Sequence, residues 1–194
     1  MCAKKTSTIL LFSAAFLLVA ALPVMPYLLD NSGFYGMAID ESGTAIGDYR
    51  PPEDGLAIVF FGYRKCGTVC PVQSVNLMEL GERLKGEKVE FLFVTLDPET
   101  DTEDALRHMV KSMGEAFRAY RPESFNAAQK LASAYNGFAA KSHGLENPIT
   151  HSAALHVVTA DFRRRLVYTT PDLNLERVEQ DLRRLLNNKS ESST

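Results

Sequence analysis

Apolar and polar positions along this chain alternate between two periods, and the switches between them mark its elements. Leu56-Ala57-Ile58-Val59-Phe60-Phe61 is a continuous apolar run of strand length, the pattern of a strand covered on both faces. A second run, Val89-Glu90-Phe91-Leu92-Phe93-Val94-Thr95-Leu96, reads the same way. Between them a helix is predicted from Pro71, proline being favoured at the first helical position. Val72, Val75 and Leu80 supply its expected buried stripe, and Gly86 lies just past its end. Strand, helix and strand make a β-α-β unit, hence a parallel pair.

Asp97-Pro98 breaks the second strand, and Thr100 to Glu103 fits a capping box for a helix reaching Met113 and stopping at Gly114. Phe117 to Tyr120 reads as a short strand. Ser124 to Tyr135 reads as a helix with a left-handed stop at Asn136-Gly137. Ala154 to Thr159 and Arg165 to Thr169 predict a hairpin turning at Ala160-Asp161. Asn174 to Leu186 closes the chain as an amphipathic helix with Leu175, Val178, Leu182 and Leu185 on one face. This order predicts an α/β, thioredoxin-like fold with an insertion, a mixed central sheet flanked by helices.

The start of the chain carries a different pattern. Met1 to Lys5 holds two lysines, no charged side chain follows until Asp30, and Ile9 to Leu22 is almost wholly apolar. That is the layout of a signal or an anchor. A spanning helix needs about 20 mostly apolar residues. Apolar character continues through Val24, Met25, Tyr27, Leu28 and Leu29, so residues 1–30 are read as a retained transmembrane anchor rather than a signal cleaved near Val19-Ala20-Ala21. The lysines then stay cytoplasmic and the domain lies on the other side: periplasm, cell surface, or intermembrane space in a mitochondrion.

Residues 31–54 read as a linker with at most a short strand, 55–188 as one domain of ordinary size, and 189–194 as a flexible tail. A net charge of -3 without a basic run on a plausible binding element argues against nucleic acid. Arg163-Arg164-Arg165 reads as a solvated turn. A monomer is expected.

Chemistry enters with the cysteines. Cys2 lies across the hydrophobic segment from the domain and reads as incidental, which leaves Cys66 and Cys70 as the domain's thiols. At a strand-to-helix handover such a pair can act as a dithiol, a disulfide or a soft-metal clamp. Cys70, next to Pro71, is placed at the helix N-cap, where the dipole favours a thiolate, so its pKa is expected to be lowered. Residues four apart face the same side, so both sulfurs can converge. A permanent disulfide is the structural alternative, but so short a loop gains little from cross-linking.

Thiol-disulfide oxidoreductases of this fold usually hold two residues between their cysteines. Three stand here, which favours a metal: Cu(I), or zinc with more ligands. A further ligand must then come from elsewhere, and the histidines are the candidates. His151, entering the hairpin from a loop, is preferred. His156 reads as packed within its strand, and His108 and His143 as solvated.

Phe61-Gly62-Tyr63, Cys66-x-x-x-Cys70-Pro71, Val94-Thr95-Leu96-Asp97-Pro98-Glu99-Thr100-Asp101-Thr102 and Thr150-His151-Ser152 occur in an order that resembles the Sco/SenC family. Those are membrane-anchored, thioredoxin-like copper proteins that assist assembly of the dinuclear copper site of cytochrome c oxidase. The resemblance spans about Leu56 to Tyr168. It implies Cys66, Cys70 and His151 as ligands of Cu(I) or Cu(II), and Asp97 as an acidic residue tuning the site. It also implies a copper-receiving oxidase subunit or another copper protein as partner.

This chain departs from the family pattern at three places. Gly67-Thr68 stands where the family usually has Pro-Asp, Thr150 where it has Asp, and Thr159-Ala160-Asp161-Phe162-Arg163 replaces an Asp-Pro-x-Gly turn. Two acids are thereby lost beside the metal. The readings in order are a copper-binding assembly factor, a thiol-disulfide oxidoreductase using Cys66 and Cys70 as a redox pair, and a peroxide-consuming thiol enzyme with Thr68 and Arg64 nearby.

Overall fold

The computed structural model describes residues 33–142 and 149–192, with side chains up to residue 188. In chain order its elements are β1 (Met37–Ser42), β2 (Leu56–Gly62), α1 (Val69–Arg83), β3 (Val89–Thr95), α2 (Glu103–Met113), β4 (Phe117–Tyr120) and α3 (Phe125–Ala134). The short strands β5 (Ala139–Lys141) and β6 (Ile149–His151), the hairpin β7 (Leu155–Thr159) and β8 (Arg163–Tyr168), and α4 (Leu175–Ser192) complete it. The main sheet runs β1-β8-β7-β2-β3-β4, and β5 pairs with β6 apart from it. β2, β3 and β4 are parallel neighbours, whereas β7, β8 and β1 join antiparallel, so the sheet is mixed as expected.

Every residue of β2 is buried, because helices cover both faces of the sheet. On one face Phe60 meets the edge of Phe93 at 5.9 Å and Phe91 stacks on Phe117 at 4.7 Å. α1 lies over these rings, its Gly81 close against Phe117. α4 is tied down by Asp181, whose carboxylate accepts from the backbone N–H groups of Tyr35 and Gly36 and from the Tyr168 hydroxyl. On the other face Phe61 packs against Tyr135, at the end of α3, and against His156. The α3 helix starts at the Ser124 cap, which accepts from Ala127 N–H, and stops at Asn136, whose φ of 58° is the expected left-handed turn.

Several local expectations are corrected. Val72 and Val75 are 49% and 63% exposed, and the buried residues of α1 are Cys70, Gln73, Leu77 and Leu80. These are spaced three, four and three apart, a regular helical stripe in which a glutamine disguises the apolar phase. Thr102, not Thr100, caps α2 by accepting from Ala105 N–H, while Thr100 belongs to the turn that hydrogen-bonds the Asp97 carbonyl. Arg163-Arg164-Arg165 opens β8 instead of forming a solvated turn. Arg163 pairs with Asp40 and the 3%-exposed Arg164 with Glu41, because β1 runs alongside and supplies the acids.

The segment read as a linker with at most a short strand carries β1, and Ile46 within it is fully buried. α4 continues to Ser192, into the segment read as a tail. The expected anchor, with Cys2, and His143 lie outside the described residues, among which no helix is long and apolar enough to cross a membrane.

Candidate metal centre

β2 ends at Gly62, and the chain turns back through Cys66, whose N–H bonds the Tyr63 carbonyl at 3.1 Å, before entering α1 at Val69. His151 arrives from far along the sequence on β6, where it pairs with Ala139 of β5. Its Nε2 lies 3.5 Å from Cys66 Sγ and 3.5 Å from Cys70 Sγ, and the three donor atoms all fall within 4.8 Å of one another. Its other ring nitrogen, Nδ1, lies 2.9 Å from the Ser152 carbonyl. A carbonyl only accepts, so Nδ1 carries a proton there, and Nε2 is the ring nitrogen that faces the sulfurs. Tyr63 and Phe60 hold the imidazole, with ring centroids 5.7 Å and 6.4 Å away.

The cysteines are unbridged, and the three side chains are 6%, 6% and 8% exposed. Two sulfurs and an imidazole nitrogen form a soft, three-donor set able to bind copper. Zinc would call for a fourth ligand. Room for Cys70 depends on Gly62: a Cβ there would sit 2.8 Å from Cys70 Sγ.

The two thiols differ, in the opposite sense to the sequence expectation. Burial pushes the Cys70 thiol well up, with the sulfur of Cys66 and the charge of Asp101 adding to it. Cys70 lies inside the first helical turn against the sheet, so desolvation outweighs the dipole. Burial also opposes a Cys66 thiolate. There, however, the Thr68 hydroxyl, the N–H groups of Thr68 and Cys70, and His151 stabilise the charge and bring the pKa down to about 6. The Thr68 Oγ1 lies 3.5 Å from Cys66 Sγ.

Asp97 is largely buried, and its backbone N–H donates to Thr95 Oγ1 while its carbonyl accepts from Thr100 and Asp101. It caps the turn. A carboxylate whose charge reaches Cys70 is that of Asp101, 1% exposed, which accepts from Thr95 Oγ1 at 2.6 Å and from Arg64 N–H at 3.1 Å. Reasoning from sequence passed over it because it lies inside a Thr-Asp-Thr run that looks like helix capping.

Gln73 was also passed over. Fully buried, it donates from Nε2 to the Ala153 carbonyl at 2.5 Å and accepts from Asn76, which in turn reaches the Pro171 carbonyl at 2.8 Å. This relay ties the cysteine-bearing helix to the loop after His151. Its one sequence signal is a polar residue in phase with a buried stripe. Of the other histidines, His108 is exposed on α2, and His156 is packed on the opposite sheet face between Phe61 and Tyr135.

A mixed sheet between helices, with a buried Cys-Cys-His cluster at a strand-to-helix handover, defines a thioredoxin-like metal-site protein. The family model described as SCO1/SenC matches residues 38–187, and the chain belongs to that family. It is 24% identical over 129 residues to a SCO2-like protein of Rickettsia conorii, covering 63% of this chain and 62% of that one. It is 26% identical over 110 residues to the mitochondrial SCO2 homolog of Bos taurus, covering 54% and 41%. The chain thus spans less than two thirds of the length of these curated relatives. Among solved structures it is similar to apo Sco1 from Thermus thermophilus, with 27% identity, a TM-score of 0.66 and coverage of 78% and 96%. Copper-bound ScoI from Bradyrhizobium japonicum shares the fold at 22% identity and a TM-score of 0.59, covering 69% and 86%.

Proposed function

We propose that this protein is a copper-binding assembly factor that delivers copper to, or prepares, the dinuclear copper site of cytochrome c oxidase, from a membrane-anchored position on the non-cytoplasmic side. Copper is the cargo, held by Cys66, Cys70 and His151. The observation that carries the reading is a single imidazole nitrogen 3.5 Å from each of two unbridged sulfurs. Such a site takes Cu(I) without rebuilding the fold and releases it by ligand exchange, as incoming thiolates replace the donors one at a time. The copper-bound relative and another described as one of the cytochrome c oxidase assembly proteins support the assignment. Asp101, and Asp97 by the family resemblance, would tune the ligands from outside.

The test is titration of fully reduced full-length protein with Cu(I) against a competing chelator. Affinity should fall with pH, because the ligands must be deprotonated. His151→Ala should weaken binding, and an unchanged affinity would remove the histidine from the site. One observation favours a second reading, a thiol-disulfide oxidoreductase: the Cys66 thiol is drawn down to about 6 beside an unbridged Cys70. Failure of the dithiol form to reduce a disulfide of the copper-receiving partner would eliminate it.

A further inference from the structure

The surface around the ligands differs in composition from the rest of the molecule. On a chain of net charge -3, the exposed residues beside the cysteines are Arg64, Lys65, Gly67, Thr68, Pro71 and Val72, with no carboxylate among them. The side chains of Arg64 and Lys65 form no ion pair among the described residues. Singly scattered apolar residues on a surface need no explanation. Here, however, four of the five large hydrophobic side chains exposed among the described residues lie on or beside the ligand-bearing elements.

Three are on α1: Val72, Val75 and Met78, exposed by 49%, 63% and 42%. Residues three apart are neighbours on a helix, and at 1.5 Å per residue the stripe runs about 9 Å along the solvent face of α1 from Val72, two residues past Cys70. The fourth is Phe138, 53% exposed. It precedes Ala139, the strand partner of His151, and its carbonyl accepts from Ser152 N–H at 3.2 Å. Exposed apolar residues thus follow Cys70 on α1, beginning with Val72, and precede the strand partner of His151 at Phe138.

With ligands only 6–8% exposed, a receiving ligand reaches the metal only if its own surface closes over this rim. We propose that Val72, Val75, Met78 and Phe138, with Arg64 and Lys65, form the docking surface for a copper-receiving domain that presents an apolar patch edged by carboxylates. The proposal rests on the copper-transfer reading above and names how the receiver is recognised. Apolar burial would provide the contact, and the two cations would steer the approach and set its orientation. A second copy of this chain fits poorly, since a two-fold contact would bring two cationic patches and no carboxylate into one interface.

The experiment loads full-length protein in detergent micelles with Cu(I) and follows transfer to a soluble oxidase-subunit fragment carrying the empty, reduced dinuclear copper site. Val72→Glu with Val75→Glu, and Arg64→Glu with Lys65→Glu, change exposed side chains, and each variant's Cu(I) affinity is measured first. The expected result is unchanged affinity with transfer slowed about tenfold in both variants. Wild-type transfer should also slow with added salt, and the charge-reversed variant should lose that dependence. Transfer at the wild-type rate in both variants would overturn the surface and leave the copper site standing. Absence of Cu(I) binding by the wild type would overturn the copper reading itself. Copper binding without transfer to the fragment would overturn the chosen receiver. Two further results would reassign the face and overturn the proposal, if transfer is unchanged: a wild-type dimer lost in Val75→Glu, or vesicle binding to anionic phospholipid lost on charge reversal.

Discussion

His156 predicts how the fold responds to acid. It sits 2% exposed on β7, between Phe61 at 6.2 Å and Tyr135 at 5.4 Å, and neither ring nitrogen has a hydrogen-bond partner among the described residues. Burial, and then the charge of Arg164, lowers its pKa from 6.5 to about 4. Arg164 faces the same Tyr135 ring from β8, 5.7 Å from its centroid, and pairs with Glu41 of β1. In the unfolded chain the histidine takes up its proton near pH 6.5, while in the folded protein it resists until about pH 4. The neutral form's contribution is thus complete above pH 6.5 and is lost as pH falls through that window. At about 1.4 kcal/mol for each pH unit, the loss amounts to about 3 kcal/mol. His156→Leu replaces the imidazole with an apolar side chain that does not titrate. Urea unfolding of the reduced apo protein, followed by far-UV circular dichroism at neutral pH and near pH 4, gives both stabilities. Wild type should lose about 3 kcal/mol more than His156→Leu across that interval, since every other titrating group is common to both. Parallel pH profiles for the two proteins would refute the reasoning.

Three further outcomes follow from the site. In the reduced apo protein, iodoacetamide should modify Cys66 first, with a half-maximal rate near pH 6, and peptide mapping that finds Cys70 labelled first would reverse the assignment of the thiolate. Gly62→Ala would place a Cβ 2.8 Å from Cys70 Sγ and 3.0 Å from the Phe60 ring. Overpacking of that kind costs about 1–3 kcal/mol, so Cu(I) affinity should drop about tenfold or more with the circular dichroism spectrum retained. Gln73→Leu leaves the Ala153 carbonyl and the Asn76 amide without their buried partner. It should lower stability by about 1–3 kcal/mol, and a denaturation midpoint equal to wild type would show that the relay holds nothing.

The parts of the fold legible in the sequence were those with a short-range physical cause. β2 and β3 announce themselves because strands covered on both faces need apolar residues at consecutive positions. The α3 boundaries follow from a serine cap and a left-handed asparagine, both local hydrogen-bonding devices. The α1 face was misread because its phase depends on which side docks against the sheet, and Gln73 is accepted there through a carbonyl eighty residues away in sequence. The arginines of β8 looked solvated because their acids stand on β1, more than a hundred residues earlier.

For the site, the sequence by itself determined which donor groups are on offer: two cysteines four apart at a strand-to-helix handover, and a histidine in a motif of the same family. Bond-forming groups are fixed by residue type, and their local spacing by the chain. Only the tertiary structure decided the rest. It brought His151 Nε2 to within 3.5 Å of both sulfurs, chose Cys66 over Cys70 as the more acidic thiol, and put Asp101 in electrostatic reach of Cys70. Those properties depend on desolvation, on the direction of hydrogen bonds and on distances through space. All three are set when separate segments pack together, so no window of the sequence contains them.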